Sequence, residues 1–278
     1  MARIDLHVYT RVYLVSMSSG FSTMRLDDRR AIVTGGASGI GRATAIAMAD
    51  LGAEVVVTDI DEAGGATVAE QVGGSFAMLD VGDPTAWARV VATAGPFDIA
   101  FLNAGISTNQ GLPPTDGVSI TSLTDAAYRR IMSINVDGVV FGIRAVLPAM
   151  IERGVGDIVA TASVAGLVPV GMDPVYALTK HAVVGFVRSV AASLEGPDTP
   201  DVCVSAVCPG FTDTNILGAE ARELIGSFGL ELMPTERIAE VVTRSLQERI
   251  SGAQWVVWPG VEPGTYEWNP AVVPPDGA

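Results

Sequence analysis

Ala31-Ile32-Val33-Thr34-Gly35-Gly36-Ala37-Ser38-Gly39-Ile40-Gly41-Arg42 is the stretch on which the fold turns. An apolar run of strand length passes without a break into a glycine-rich turn. The turn opens onto a segment whose apolar residues Ala43, Ile46, Ala47 and Leu51 share one helical face, and Gly52 stands where a left-handed residue ends a helix. The same alternation continues outward. Short apolar runs at 31–34, 54–58, 75–79, 98–103, 156–161, 202–208 and 254–257 are separated by amphipathic stretches, the pattern of parallel strands joined by crossover helices. The sequence predicts an α/β chain: a doubly wound, parallel, seven-stranded sheet with helices on both faces. Residues 24–258 contain no repeat and no Pro/Gly/Ser linker, and are read as a single domain.

Composition narrows the function. The 278 residues are 49% hydrophobic and 17% charged with a mean hydropathy of +0.39, which excludes disordered, collagenous and coiled-coil chains. Seventeen cationic against 31 acidic side chains leave a net charge of -14, which repels a phosphate backbone and an anionic leaflet, so neither nucleic acid nor membrane is an expected partner. No uncharged apolar run reaches the roughly 18 residues of a membrane span. Cys203 and Cys208 lie in one apolar run at a spacing that suits neither a disulfide framework nor zinc; a reducing, cytoplasmic setting and no metal are expected. Residues 1–23 are read as a flexible N-terminal extension without a secretion signal, with Met24 as an alternative start. Residues 259–278 form a Pro-rich C-terminal tail. It is either loose or an arm that uses Tyr266 and Trp268 to cover a subunit interface or a substrate mouth.

The glycine turn has a chemical reading. Gly35, Gly39 and Gly41 leave the backbone bare where a strand meets a helix N-terminus, and the unpaired N–H groups and positive dipole end there attract a diphosphate. A glycine-rich turn alone is also compatible with a purely structural role. Asp59, 18 residues past Gly41 at the end of the second apolar run, adds a carboxylate able to accept hydrogen bonds from an adenosine ribose. That carboxylate repels a 2′-phosphate, and neither Ser38 nor Ile60 offers a compensating cation, so NAD is expected over NADP. Arg42, beside the turn, is the one nearby cation that could alter this preference.

Tyr176 and Lys180 form Y-x-x-x-K on a helical stretch, where residues four apart share a face with Cβ atoms about 6 Å apart. An ammonium beside a phenol lowers the phenol's pKa. Bringing it from about 10 to neutrality needs about 4 kcal/mol, roughly what one unit charge at 4 Å supplies at an effective dielectric near 20. A packed Tyr beside a solvated Lys is the plainer reading of such a pair. However, 16 of the 17 cationic side chains are Arg, and Lys180 is the only lysine. A compact ammonium reaching between a phenol and ribose hydroxyls is not readily replaced by a guanidinium.

These motifs together resemble a short-chain dehydrogenase/reductase of the NAD-linked, roughly 250-residue type, from about Arg25 to Trp258. Thr34, Gly35, Gly39 and Gly41 match the family's T-G-x-x-x-G-x-G turn, in which Ser38 and Ile40 also lie, and Asn103, Ala104 and Gly105 match its N-A-G. Asn135, Ser163, Tyr176 and Lys180 match its catalytic tetrad, with Ser163 13 residues before the tyrosine. The resemblance implies a Rossmann-like fold and NAD as cofactor. It further implies that Asp80 and Val81 meet the adenine, and that Pro209, Gly210 and Thr214 hold the nicotinamide carboxamide. It also implies a role for each tetrad member: Tyr176 as general acid/base, Ser163 on the substrate oxygen, Lys180 on phenol and ribose, Asn135 positioning a water. A homodimer or homotetramer packed through the helices at 125–152 and 172–194 is implied as well. Two departures stand out: a long Gly/Pro/Thr-rich loop at 107–125, and Trp258-Pro259-Gly260 in place of the family's frequent D-G-G close.

The substrate-facing segments 106–124, 164–174 and the lid 211–233 are mostly apolar. Ser163, Val168, Phe211 and Leu217 are the expected pocket residues; Met172 and Phe228 add to the greasy surface, and Arg222 is the only cation among the three segments. The expected activity is therefore NAD-linked interconversion of a neutral, fairly lipophilic secondary alcohol and its ketone. An NADPH-dependent carbonyl or 3-ketoacyl reductase is the alternative within enzymes. A non-catalytic dinucleotide-binding sensor or scaffold is the alternative outside them.

Overall fold

The computed structural model describes residues 25–108, 120–121, 123–171, 173–196, 199–217, 219–227, 229 and 231–268. The expectations for residues 1–23, for Met24, Met172 and Phe228, for most of the 107–125 loop and for the tail past Trp268 lie outside the described residues.

Eight strands form one sheet in the order β3-β2-β1-β4-β5-β6-β7-β8. They are β1 (Arg30–Thr34), β2 (Glu54–Asp59), β3 (Ser75–Met78), β4 (Ile99–Leu102), β5 (Val155–Thr161), β6 (Asp201–Pro209), β7 (Gln254–Val257) and β8 (Gly264–Thr265). The first seven pair in parallel, as expected. β8 is a correction, since it pairs antiparallel with β7, Trp255 opposite Thr265 and Val256 opposite Gly264. Two residues after Pro263 carry no readable alternation, which is why the sequence gives no warning of this strand. Residues 264–268 are held against the sheet and Arg188 in this chain. Tyr266 N donates to Gln254 O at 2.8 Å, Trp268 Nε1 to Gln254 Oε1 at 2.5 Å, and the Arg188 guanidinium sits 4.0 Å from the Trp268 ring centroid.

Each inner strand feeds both faces, because successive side chains point to opposite sides of a sheet covered twice. Ala100 and Leu102 of β4 and Val204, Ala206 and Cys208 of β6 enter one core, whereas Ile99, Phe101 and Val207 enter the other. The helices α1 (Gly39–Asp50), α2 (Glu62–Gln71) and α8 (Thr235–Glu248) supply Met48, Val68 and Val242 to the second core. α3 (Pro84–Ala94), α5 (Gly138–Arg153) and α6 (Pro174–Ser193) supply Trp87, Ile143 and Val187 to the first. Helix α4 (Asp125–Met132) runs into α5 through a π-helical turn, Ser133–Asp137. By length and composition this 29-residue stretch could cross a membrane, although it contains charges that interrupt any apolar run. Its Val139, Ile143, Val146 and Met150 are buried in the core, so it is read as a core helix. α7 (Ala219–Ser227) belongs to the lid.

The strand order reverses between β1 and β4, and ligands of open α/β sheets bind outside the carboxyl ends of strands at such a switch. At the opposite edge a charge network closes the sheet. Asp157, 2% exposed, accepts from Arg29 Nη2 at 2.5 Å and Arg249 Nε at 2.8 Å, and Arg249 also reaches Asp201. Removing the buried carboxylate leaves two partly exposed guanidiniums to resolvate. Asp157→Ala is therefore expected to lower the unfolding free energy by about 2–3 kcal/mol, read from the urea midpoint at constant m-value.

Candidate active site

Every sequence-expected site residue lies at or beyond the carboxyl ends of the strands. The glycine turn follows β1, Asp59 ends β2, Asp80 and Val81 follow β3, and Asn103 to Gly105 follow β4. Ser163 follows β5, Pro209 ends β6, and Gly210 and Thr214 come next.

The turn is built to receive an anion. Gly35 and Gly39 adopt φ of +64° and +53°. A Cβ on Gly35 would lie 2.9 Å from Ala104 Cα, and one on Gly41 would overlap the Gly35 carbonyl, so neither position tolerates a side chain. The N-terminus of α1 is left without a side-chain cap and without an acidic first turn. By contrast α2, α3, α4 and α6 are each capped by a side chain, from Asp61, Asp83, Thr124 and Asp173. Orphan N–H groups beside a bare backbone suit a diphosphate. Asp59 folds back onto the turn, its Oδ2 accepting from Ala37 N at 3.0 Å and its Oδ1 from Asp61 N at 3.0 Å. Asp80 Oδ1 accepts from Gly82 N at 2.9 Å, shaping the neighbouring loop. These residues fit a dinucleotide.

Asn103 does more than the resemblance assigned it. Its Nδ2 donates to Thr34 O at 3.1 Å and Gly35 O at 3.4 Å, while its Oδ1 accepts from Thr161 Oγ1 at 3.1 Å. Thr34 Oγ1 accepts from Asn103 N and Ala104 N at 2.8 and 3.1 Å. One amide thus ties β1, β4 and β5 at the switch.

The tetrad is assembled. Lys180, 3% exposed, donates from Nζ to Thr161 O at 2.8 Å and lies 5.6 Å from the Tyr176 ring centroid. Ser163 and the phenol are hydrogen-bonded, and Ser163 Oγ also faces Pro209 O at 3.3 Å. A hydroxyl has one proton, so donation to Pro209 O and donation to a phenolate exclude each other. Asn135, 1% exposed in the π-helical turn, holds both backbone groups of Ile106 at 2.9 Å and donates to Thr179 Oγ1 at 3.1 Å. A π-turn inside an otherwise α-helical run often marks a functional site. Gly105 sits against this group: a Cβ there would lie 3.4 Å from Asn135 Oδ1 and 3.5 Å from Lys180 Nζ. Sequence reasoning passed over Thr108, Thr161, Thr179 and Asp173, and named Thr34 only as a match to the turn. Of these only Asp173, an Asp before Pro at a helix start, carries a legible signal.

Burial dominates the electrostatics of the pair. Burial pushes the phenol of Tyr176 up to about 12, opposed by the Ser163 hydrogen bond and reinforced by the Asp173 carboxylate and Cys208. Burial also pushes Lys180 down to about 8. Desolvation is the largest cause for both groups, and it favours the neutral phenol and the neutral amine.

The lid starts at Phe211, whose ring lies 5.7 Å from that of Trp258. Thr212 bridges Met233, and Met233 N donates to Phe211 O at 2.9 Å, closing the lid at its base. Val168, Phe211 and Leu217 are each half-buried. Thr214 approaches the turn, 3.4 Å from where a Gly39 Cβ would stand. Arg222 is held by Asp213, by Thr214 O at 2.8 Å and by Leu217 O at 3.1 Å.

Residues 29–224 match the family model of the short chain dehydrogenases. The chain belongs to the short-chain dehydrogenase/reductase family. It is 40% identical over 204 residues to a 2-keto-3-deoxy-L-fuconate dehydrogenase of Xanthomonas campestris, a match covering 73% of this chain and 64% of that protein. It is 36% identical over 244 residues to a 2,5-dichloro-2,5-cyclohexadiene-1,4-diol dehydrogenase of Sphingobium indicum, covering 84% and 90%. The solved structure of a levodione reductase superposes with a TM-score of 0.73 at 29% identity, covering 85% of this chain and 98% of that one. Membership carries the coarse chemistry of an oxidoreductase that acts on CH–OH groups with a nicotinamide dinucleotide.

Lys180 makes a pH prediction. Its folded pKa near 8 lies below its unfolded 10.5, so between these values the unfolded chain binds more protons and stability rises with pH. Tyr176, raised from 10 to about 12, opposes this only above pH 10. The cofactor-free protein is expected to gain roughly 2 kcal/mol from this lysine between pH 8 and 10, and the slope should flatten in Lys180→Met, measured by urea unfolding.

Proposed function

We propose that the protein is an NAD-dependent dehydrogenase/reductase that interconverts a neutral, fairly lipophilic secondary alcohol and its ketone, with Tyr176 as general acid/base. The observation that carries this reading is the convergence of Tyr176, Ser163 and buried Lys180 on the edge that also holds the uncapped glycine turn. Gly35, Gly39 and Gly41 clear the diphosphate position, with Ser38 and Ile40 contributing backbone at the helix start. Asp59 would hold the adenosine ribose, Asp80 and Val81 would border the adenine, and Pro209, Gly210 and Thr214 would face the carboxamide. Arg42 Nη2 donates to Gln71 Oε1 at 3.2 Å and is exposed, drawn toward α2 rather than onto a 2′-phosphate. This favours NAD over NADP.

Within this reading Tyr176, with its proton firmly held, is ready to protonate a ketone oxygen, and Ser163 hydrogen-bonds that oxygen as charge develops on it. A nicotinamide dinucleotide held by these residues would supply the hydride chemistry and, in its oxidised form, a positive charge. Lys180, half-titrated near pH 8, is suited to pass a proton onward through the group around Asn135. An anionic substrate finds no free cation in the described lid, because Asp213 and two carbonyls occupy Arg222. This separates the chain from a sugar-acid substrate like the one named for the Xanthomonas relative, and favours a ring alcohol of the kind named for the Sphingobium one. A cytoplasmic homodimer or homotetramer is the assembly proposed.

Two outcomes test this reading. Tyr176→Phe should lower kcat for oxidation of cyclohexanol-type alcohols by about 10³-fold while fluorescence titration shows unchanged NADH binding. The wild type should prefer NAD over NADP in kcat/KM, and Asp59→Ala should shift the ratio toward NADP by about 10-fold; a wild-type preference for NADP would overturn the cofactor assignment.

A further inference from the structure

The loop that follows β4 is gripped at two points. Asn135 holds Ile106 through both of its backbone groups. Two residues on, Asp173 holds Thr108: Oδ1 accepts from Thr108 Oγ1 at 2.7 Å and Oδ2 from Thr108 N at 3.0 Å. The same Oδ1 caps α6, accepting from Tyr176 N at 2.9 Å. A single carboxylate therefore joins the N-A-G loop, which faces Lys180 and Asn135, to the first turn of the helix that presents the phenol. An N-cap needs one acceptor oxygen; Asp173 uses both, and two of its three bonds leave the helix.

We propose that Asp173 is a positioning residue for proton transfer, coupling the loop at Thr108 to the backbone of Tyr176. The inference rests on the reading of Tyr176 as general acid/base and adds a residue that sets the strength of that base. Among the described residues, the titratable groups facing the phenol are Asp173 and Lys180 on α6 and Cys208 on β6, with the Ser163 hydroxyl beside them. Cys208, fully buried, has its own thiol pushed up to about 12, so it is neutral over the working range. Asp173 is then the negative charge that opposes ionisation of the phenol, and Lys180 the cation that favours it.

The test is the pH dependence of NAD-linked alcohol oxidation in full-length protein, with NADH binding and circular dichroism as checks on folding. Asp173→Asn keeps a good N-cap and removes the charge, and it loses the bond from Thr108 N because an amide nitrogen cannot accept. Its ascending kcat limb should move to lower pH by about 0.5–1 unit, less than the 1–3 units produced by a charge at 4–6 Å, with the plateau lowered several-fold as in Thr108→Val. Thr108→Val keeps the charge and loses the Oγ1 bond. It should lower kcat several-fold without moving the limb. Asp173→Ala should do both, with NADH binding within two-fold of wild type. Superimposable profiles for Asp173→Asn and wild type, or an equal limb shift in Thr108→Val, would overturn the proposal. Tyr176→Phe is measured alongside: an active variant brings down the acid/base assignment itself, whereas an inactive one with an unshifted Asp173→Asn profile brings down only the role of Asp173.

Discussion

The site depends on the amide of Asn103, which holds three strand ends together where the sheet reverses its order. Parallel strands diverge at such a switch, leaving backbone groups of β1 and β4 without ladder partners. Asn103 and Thr34 satisfy them reciprocally, and Thr161 on β5 completes the tie. The carbonyl of the same Thr161 accepts Lys180 Nζ. The glycine turn and Lys180 are therefore successive members of one hydrogen-bonded chain, and a displacement of β4 relative to β1 would move both.

That connection explains what the sequence could and could not disclose. The strands from Arg30 to Val257 were legible because a sheet covered on both faces demands continuous apolar runs, and the glycines because positive φ and close backbone approach admit nothing larger. The tetrad was legible through spacing along one helix and through resemblance. Three threonines were not: Thr108, Thr161 and Thr179 act through single hydroxyls on residues distant in sequence, and a Thr in a strand or helix has no pattern that separates bonding from packing. β8 escaped for a related reason, since its pairing with Trp255 and Val256 is set by where the chain returns and not by any periodicity in Gly264 and Thr265.

The phenol of Tyr176 shows how charge and burial compete within one pair. A nearby unit charge favours phenolate, while loss of hydration opposes it. Burial acts on each partner separately. It makes phenolate costly and ammonium costly, so Tyr176 rises and Lys180 falls even as they approach each other. For the proposed acid/base role, burial favours the protonated phenol, and a positive charge entering the cleft would favour its ionisation.

Arg222 shows the same logic at the other wall of the pocket. A lid that carried a free guanidinium over an apolar cleft would select anions and would pay a desolvation cost on closing. Here the guanidinium is spent inside the lid, on Asp213 and on the carbonyls of Thr214 and Leu217, so the segment that reaches toward Gly39 is stiffened from within. In the proposed pocket the wall is the half-buried apolar surface of Val168, Phe211 and Leu217, with Trp258 against Phe211. Such a wall discriminates by shape and by the absence of a countercharge, while the hydroxyls of Ser163 and Tyr176 select the oxygen. This distribution, with polarity concentrated on those hydroxyls, supports the proposal of a neutral substrate.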